Sequence, residues 1–168
     1  VGAIDLARLV FERWMKWMPN DDAWASYIKF EMRQGDVARA RQIYDRYTDC
    51  HPTPRAYLKY AKWEERQKEL GMCRAVYEKS LQVLLPEQDL ASIYKNFAKF
   101  EERCKEFDRV RVIYKYAINQ GQLGDTETMD LKQDLLNFEK RCGDKKGIEN
   151  AVSNKRRNQY ELLVKENS

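Results

Sequence analysis

The chain has 168 residues, a formal net charge of +4, 35% charged residues and 43% hydrophobic ones. That balance suits long helices with solvated faces around an adequate core, and the mild charge falls well short of the footprint of a strongly basic nucleic-acid binder. Only 7 glycines and 4 prolines leave little room for the many turns of an all-β fold.

In chain order, Leu6, Leu9, Val10, Trp14 and Trp17 fall at helical spacing over residues 3–17. Pro19, Asn20, Asp21 and Asp22 end that segment and offer caps for a second helix, whose face carries Trp24, Tyr27, Ile28 and Glu31, with Phe30 beside it. Gly35 and Asp36 break the pattern, and a third helix holding Tyr44 runs to His51 and Pro52. One unit is therefore helix, short turn, helix and a Pro-containing link, with the two helices expected as antiparallel neighbours.

The unit is written again and again. The run Arg41-Gln-Ile-Tyr-Asp-Arg46 returns as Arg74-Ala-Val-Tyr-Glu-Lys79 and Arg111-Val-Ile-Tyr-Lys-Tyr116, and it is already present as Arg8-Leu-Val-Phe-Glu-Arg13. Its aromatic sits at Phe11, Tyr44, Tyr77 and Tyr114, at intervals of 33, 33 and 37 residues. A period in that range marks a solenoid of stacked supersecondary units. The first helix of each pair repeats a second pattern: Trp24, Tyr27, Phe30 and Glu31 correspond to Tyr57, Tyr60, Trp63 and Glu64, and to Tyr94, Phe97, Phe100 and Glu101. Lys132, Leu135, Phe138 and Glu139 form a weakened fifth copy. From Glu to the second-helix aromatic the offset is 13 residues in the three complete copies, whereas the links at Leu84–Leu90 and Gly121–Asp125 vary in length.

The expected architecture is all-α, a solenoid of antiparallel helix pairs. Residues 1–19 supply the second helix of a preceding unit, 20–52, 53–86 and 87–121 are full units, and 122–168 form a degenerate unit with a long terminal helix. The chain starts inside a unit and ends in a charged helix without a clear cap, so it reads as a piece of a longer array. Uncovered apolar ends predict some self-association of the isolated segment.

Rings repeated on one helix stripe, at Trp24, Tyr27, Tyr57, Tyr60, Tyr94 and Phe97, are expected in the core, since aromatics bury large areas. A platform for stacking single-stranded RNA bases would instead require exposed rings. The repeated Glu31, Glu64, Glu101 and Glu139 adjoin that stripe, and Arg41, Arg74 and Arg111 follow ten residues after the first three. A partly buried carboxylate needs partners, so each Glu is expected to be held by the second helix of its pair, through this Arg or a tyrosine hydroxyl. Glu149 takes the Arg position in the last pair, where a simple ion pair fails.

Catalytic chemistry finds no support. Carboxylates arrive one per unit and do not converge, and there is no nucleophile elbow, phosphate loop or dinucleotide fingerprint. No cofactor or metal is implied: Cys50, Cys73, Cys104 and Cys142 are too widely spaced for a zinc motif, and His51 beside Pro52 reads as a turn residue. The thiols read as reduced and intracellular, Cys73 as a small buried side chain in the slot of Ala7, Ala40 and Val110. There is no recognisable signal peptide and no apolar run long enough to span a bilayer. The dense basic cluster Lys155, Arg156 and Arg157, preceded by Lys145 and Lys146, is a candidate contact for RNA phosphates or an acidic partner. Asp144, Glu149, Glu161 and Glu166 dilute its field, which also fits a solvated face.

Two patterns at a fixed mutual offset resemble the HAT (half-a-TPR) repeat: aromatic, aromatic and Glu on the first helix, then an Arg-x-Ile/Val-Tyr-Glu/Lys-like run on the second. The resemblance covers nearly the whole chain and implies a nuclear, non-catalytic protein of eukaryotic RNA processing. A narrower resemblance is to the crooked neck family of splicing factors, in Glu106–Ala117, Gly143–Glu149, Lys155–Tyr160 and Ala7–Trp14. It implies a scaffold working with the Prp19-associated complex. The alternatives are a homodimerising HAT subunit of the mRNA 3′-end cleavage and polyadenylation machinery, and a HAT protein that binds RNA directly.

Overall fold

In the computed structural model, residues 2–17, 19–143 and 152–153 are described. Among them run eight helices and no strand: α1 (Ala3–Met15), α2 (Asp21–Arg33), α3 (Val37–Cys50), α4 (Pro54–Arg66), α5 (Leu70–Val83), α6 (Leu90–Arg103), α7 (Phe107–Asn119) and α8 (Asp125–Cys142). The chain is an all-helical solenoid. Helices α2 and α3, α4 and α5, and α6 and α7 pack as pairs, and each of α2, α4, α6 and α8 also rests on the helix before it. We call the first helix of a pair A and the second B, so α1 is a B helix and α8 an A helix.

The turn inside each pair follows from one device used three times. The repeated Glu is the third residue from the end of helix A, and its carbonyl accepts from the N–H five residues on: Asp36 to Glu31 at 3.1 Å, Glu69 to Glu64 at 3.1 Å, and Glu106 to Glu101 at 3.0 Å. The residue between turns left-handed, at Gly35 (φ 77°), Lys68 (φ 62°) and Lys105 (φ 62°). This is the Schellman closure, which satisfies carbonyls that the helix end would orphan. The start of helix A is capped by side chains: Asn20 to the Ala23 N–H, Thr53 to that of Ala56 with Pro54 in the first turn, and Asp89 to that of Ser92.

From α4 to α8 the A helices form the tighter layer. Helix α6 touches both α4 and α8, whereas among the described residues the backbones of successive B helices do not approach one another. Over α4 to α8 the array therefore curves with the B helices spread on its outer side. Long side chains lace the A layer: Arg103 to Glu65 at 2.7 Å, Arg141 to Glu102 at 2.8 Å and Lys59 to Asp21 at 3.4 Å. The links are tied as well, since His51 Nε2 donates to the Pro19 carbonyl at 2.9 Å and Gln88 to the Pro52 carbonyl at 3.1 Å. Helix α1 is covered on one side alone: Leu6, Leu9, Val10 and Trp14 are exposed along it, and Trp17 just beyond its end.

Small residues let the paired helices approach. Ala40, Cys73 and Val110 occupy one slot on successive B helices and are all fully buried. Cys73 Sγ donates to the Ala61 carbonyl at 3.3 Å, and burial pushes its thiol up to about 12. All four cysteines are free.

Candidate functional site: a clasp repeated between units

Each B helix offers an Arg three residues before its repeated aromatic, one turn away and on the same face. Those two side chains meet the A helix of the following unit. Arg8 grips Glu31 with Nε and Nη2 at 2.9 and 2.7 Å; Arg41 grips Glu64 at 2.6 and 2.9 Å. Arg74 grips Glu101 at 2.7 and 2.9 Å, and Arg111 grips Glu139 at 2.8 and 3.2 Å. Glu31, Glu64 and Glu101 are fully buried and Glu139 is 3% exposed, so each fork sits with its carboxylate away from water. Two parallel charge-assisted bonds are the strongest arrangement open to such a pair. The bond to the carboxylate holds each of the four guanidinium groups above its ordinary pKa.

Rings complete the joint. Phe11 stacks on Tyr27 at 4.7 Å, Tyr44 on Tyr60 at 4.8 Å and Tyr77 on Phe97 at 4.8 Å, with interplanar angles of 1°, 5° and 10°. The next A-helix ring tilts against the same aromatic, as Phe30, Trp63 and Phe100. Above Trp63, Phe100 and Phe138 the clasp guanidinium of Arg41, Arg74 or Arg111 lies 5.8–5.9 Å from the ring centre. Where the stacked A-helix ring is Tyr, its hydroxyl donates back across the joint: Tyr27 to Glu12 at 2.9 Å and Tyr60 to Asp45 at 3.1 Å. Burial, helped by Glu12, pushes the Tyr27 phenol up to about 12, and burial does the same to Tyr44.

The expected partnership inside a pair is therefore corrected. No Glu is held by the Arg ten residues after it; it is held by the Arg 23 to 28 residues before it, on the preceding unit. The reason is geometric: the Schellman turn folds helix B back along one side of helix A, and the carboxylate leaves from the side facing the previous B helix. The exception expected at Glu149 disappears for the same reason, because Glu139 takes Arg111 and needs nothing from its own pair. Tyrosine hydroxyls likewise reach Glu12 and Asp45 and not the repeated Glu.

Trp24, Tyr27, Tyr57, Tyr60, Tyr94 and Phe97 are 1–7% exposed, and Tyr77 and Tyr114 are buried too, so these rings offer no face for stacking RNA bases. Arg8, Phe11 and Glu12 belong to the site beyond the residues expected there, and the Arg8-to-Arg13 copy of the motif is their signal in the sequence. Lys155, Arg156 and Arg157 lie outside the described residues, as do Lys145 and Lys146. Among the described residues no three His, Cys, Asp or Glu side chains gather to hold a metal ion, and no helix is long and apolar enough to cross a membrane.

A solenoid of helix pairs joined by this aromatic, Arg and Glu clasp defines a HAT-repeat protein. Residues 7–148 match the family model described as the PRP39 C-terminal HAT repeat, and the chain belongs to that HAT-repeat family. No curated protein matches the chain. The match carries the HAT assignment and does not single out crooked neck.

Proposed function

We propose that the chain is a non-catalytic protein–protein scaffold of pre-mRNA splicing that acts in the nucleus. The observation that carries this reading is the match to a PRP39-type HAT model across residues 7–148. The geometry supports it. The charged and aromatic side chains of the repeat are spent on joining units, and what remains is an extended curved surface, the feature by which such arrays bind other proteins. Within splicing, the crooked neck resemblance supports work with the Prp19-associated complex during spliceosome assembly and activation.

A second reading is a homodimerising HAT subunit of the 3′-end cleavage and polyadenylation machinery. It rests on the same HAT match and predicts a symmetric dimer, where the scaffold reading tolerates a monomer within a heteromeric complex. Tagged protein recovered from nuclear extract, with mass spectrometry of its companions, separates the two. Prp19-complex proteins with spliceosomal RNA are the expected companions. Cleavage and polyadenylation factors in their place overturn the splicing assignment and leave the HAT fold intact.

A further inference from the structure

The spaces between successive B helices are not equivalent. Between α1 and α3, the carboxylate of Glu12 receives Tyr27 from the floor and Arg46 from the next B helix, at 2.8 and 3.1 Å. That Arg bond, with the Tyr27 hydroxyl, holds the Glu12 carboxyl below its ordinary pKa. Between α3 and α5, Asp45 receives Tyr60 from the floor, and Lys79 reaches Asp49 at 2.8 Å. Arg46 and Lys79 both stand two residues after the B-helix aromatic.

Between α5 and α7 both parts are missing. The floor position holds Phe97, which has no hydroxyl, and the position of Arg46 and Lys79 holds Tyr116. Glu78, the counterpart of Glu12 and Asp45, is exposed and makes no hydrogen bond or ion pair among the described residues. Beside it opens a cleft of about 320 Å³ lined by Glu78, Phe97, Glu101, Arg109, Val112 and Ile113, with Asp108 at its edge. Its other charges have partners: Glu101 has Arg74, Asp108 has Arg111 at 2.9 Å, and Arg109 turns to Glu106 at 4.0 Å. Val112 is 64% exposed, and one turn along α7 Tyr116 is 52% exposed.

We propose that this cleft is a docking site for a partner-protein segment that presents a Lys or Arg beside an aliphatic side chain. The aliphatic group covers Phe97, Val112 and Ile113, and the cation takes the place at Glu78 that Arg46 takes at Glu12. The site supplies from another chain the charge that the first two spaces supply from within. Its occupant is a protein, which rests on the scaffold reading.

The test uses the full chain and a fluorescein-labelled amphipathic peptide of leucine, alanine and lysine, with a matched peptide in which glutamate replaces lysine, both followed by anisotropy. The lysine peptide is expected to bind and the glutamate peptide to bind at least about tenfold more weakly. Glu78→Lys is expected to reverse that order. Tyr116→Arg, alone or with Phe97→Tyr, rebuilds the internal bridge and is expected to weaken the lysine peptide about tenfold while thermal stability holds or rises. Lysine-peptide affinity unchanged in Glu78→Lys and Tyr116→Arg overturns the proposal, as does no binding at all. Displacement of the peptide by single-stranded RNA, or a chain dimer that blocks it, overturns the partner-protein occupant in favour of RNA or of a second copy of this chain. Recovery of the splicing complex by a Glu78→Lys protein whose peptide binding is lost leaves the scaffold reading standing, so the two fail separately.

Discussion

Arg41 of α3 and Glu64 of α4 are 23 residues apart in sequence and locked by two bonds of 2.6 and 2.9 Å, with the carboxylate wholly buried and the guanidinium over Trp63. The pair joins one unit to the next. It makes the interface between units, and not the interior of a unit, the place where charge is buried.

Removing one partner leaves a buried charge without compensation. Arg41→Ala or Arg74→Ala is expected to cost about 3–5 kcal/mol in urea unfolding, far more than an exposed pair such as Lys79 with Asp49, which should cost below about 1 kcal/mol. The double change Arg41→Met with Glu64→Leu is expected to recover most of the loss. A loss no greater for Arg41→Ala than for Lys79→Ala would show the clasp to be structurally idle.

Because the clasp lies between units, its loss should change cooperativity as well as stability. Glu64→Gln is expected to broaden the thermal transition or split it in two, as coupling between neighbours falls in a linear array. A sharp transition displaced to lower temperature would place the energy inside the unit.

Lys68 and Lys105 hold the left-handed position that Gly35 holds in the first complete unit. Lys68→Gly and Lys105→Gly are each expected to be neutral or to stabilise by up to about 1 kcal/mol, and Gly35→Ala to destabilise by a similar amount. Denaturant midpoints that move the other way would sink this account of the turn.

Burial raises the phenols of Tyr27, Tyr44 and Tyr114 to about 12 from an ordinary 10.0. Between those values the unfolded chain has released protons that the folded chain keeps, so folding stability is complete below about pH 10 and falls as pH rises toward 12. Glu12 works at the opposite end: its folded pKa is depressed by Arg46, so its contribution is present at neutral pH and lost as pH falls through that lowered value. Urea midpoints at about pH 9 and about pH 11 check the alkaline limb, and equal midpoints would contradict it.

The exposed stripe of α1 is expected to drive concentration-dependent self-association. Leu9→Gln with Val10→Gln should shift sedimentation velocity toward the monomer without lowering the melting temperature, since both side chains are more than half exposed.

The repeat was legible in the sequence because period-bearing features are local. Two motifs at a fixed offset, helical apolar spacing, and breakers at Gly35 and Pro52 define helix, turn and helix without knowledge of what packs where. Burial of Trp24, Tyr57 and Tyr94 was legible for the same reason, since one helix stripe must face one neighbour. The partner of Glu64 was not. Arg74 is closer in sequence than Arg41, and nothing in a list of residues tells a carboxylate from which side of its helix the next one approaches.

By itself, then, the sequence determined the class of fold, the phase of the repeat and the rings that make its core, since helical periodicity and turn chemistry act over a few residues. The tertiary structure decided which Arg serves which Glu, and which space between B helices is left open at Glu78. Those depend on how whole units rotate and stack, and a carboxylate meets the groups that this stacking brings to it.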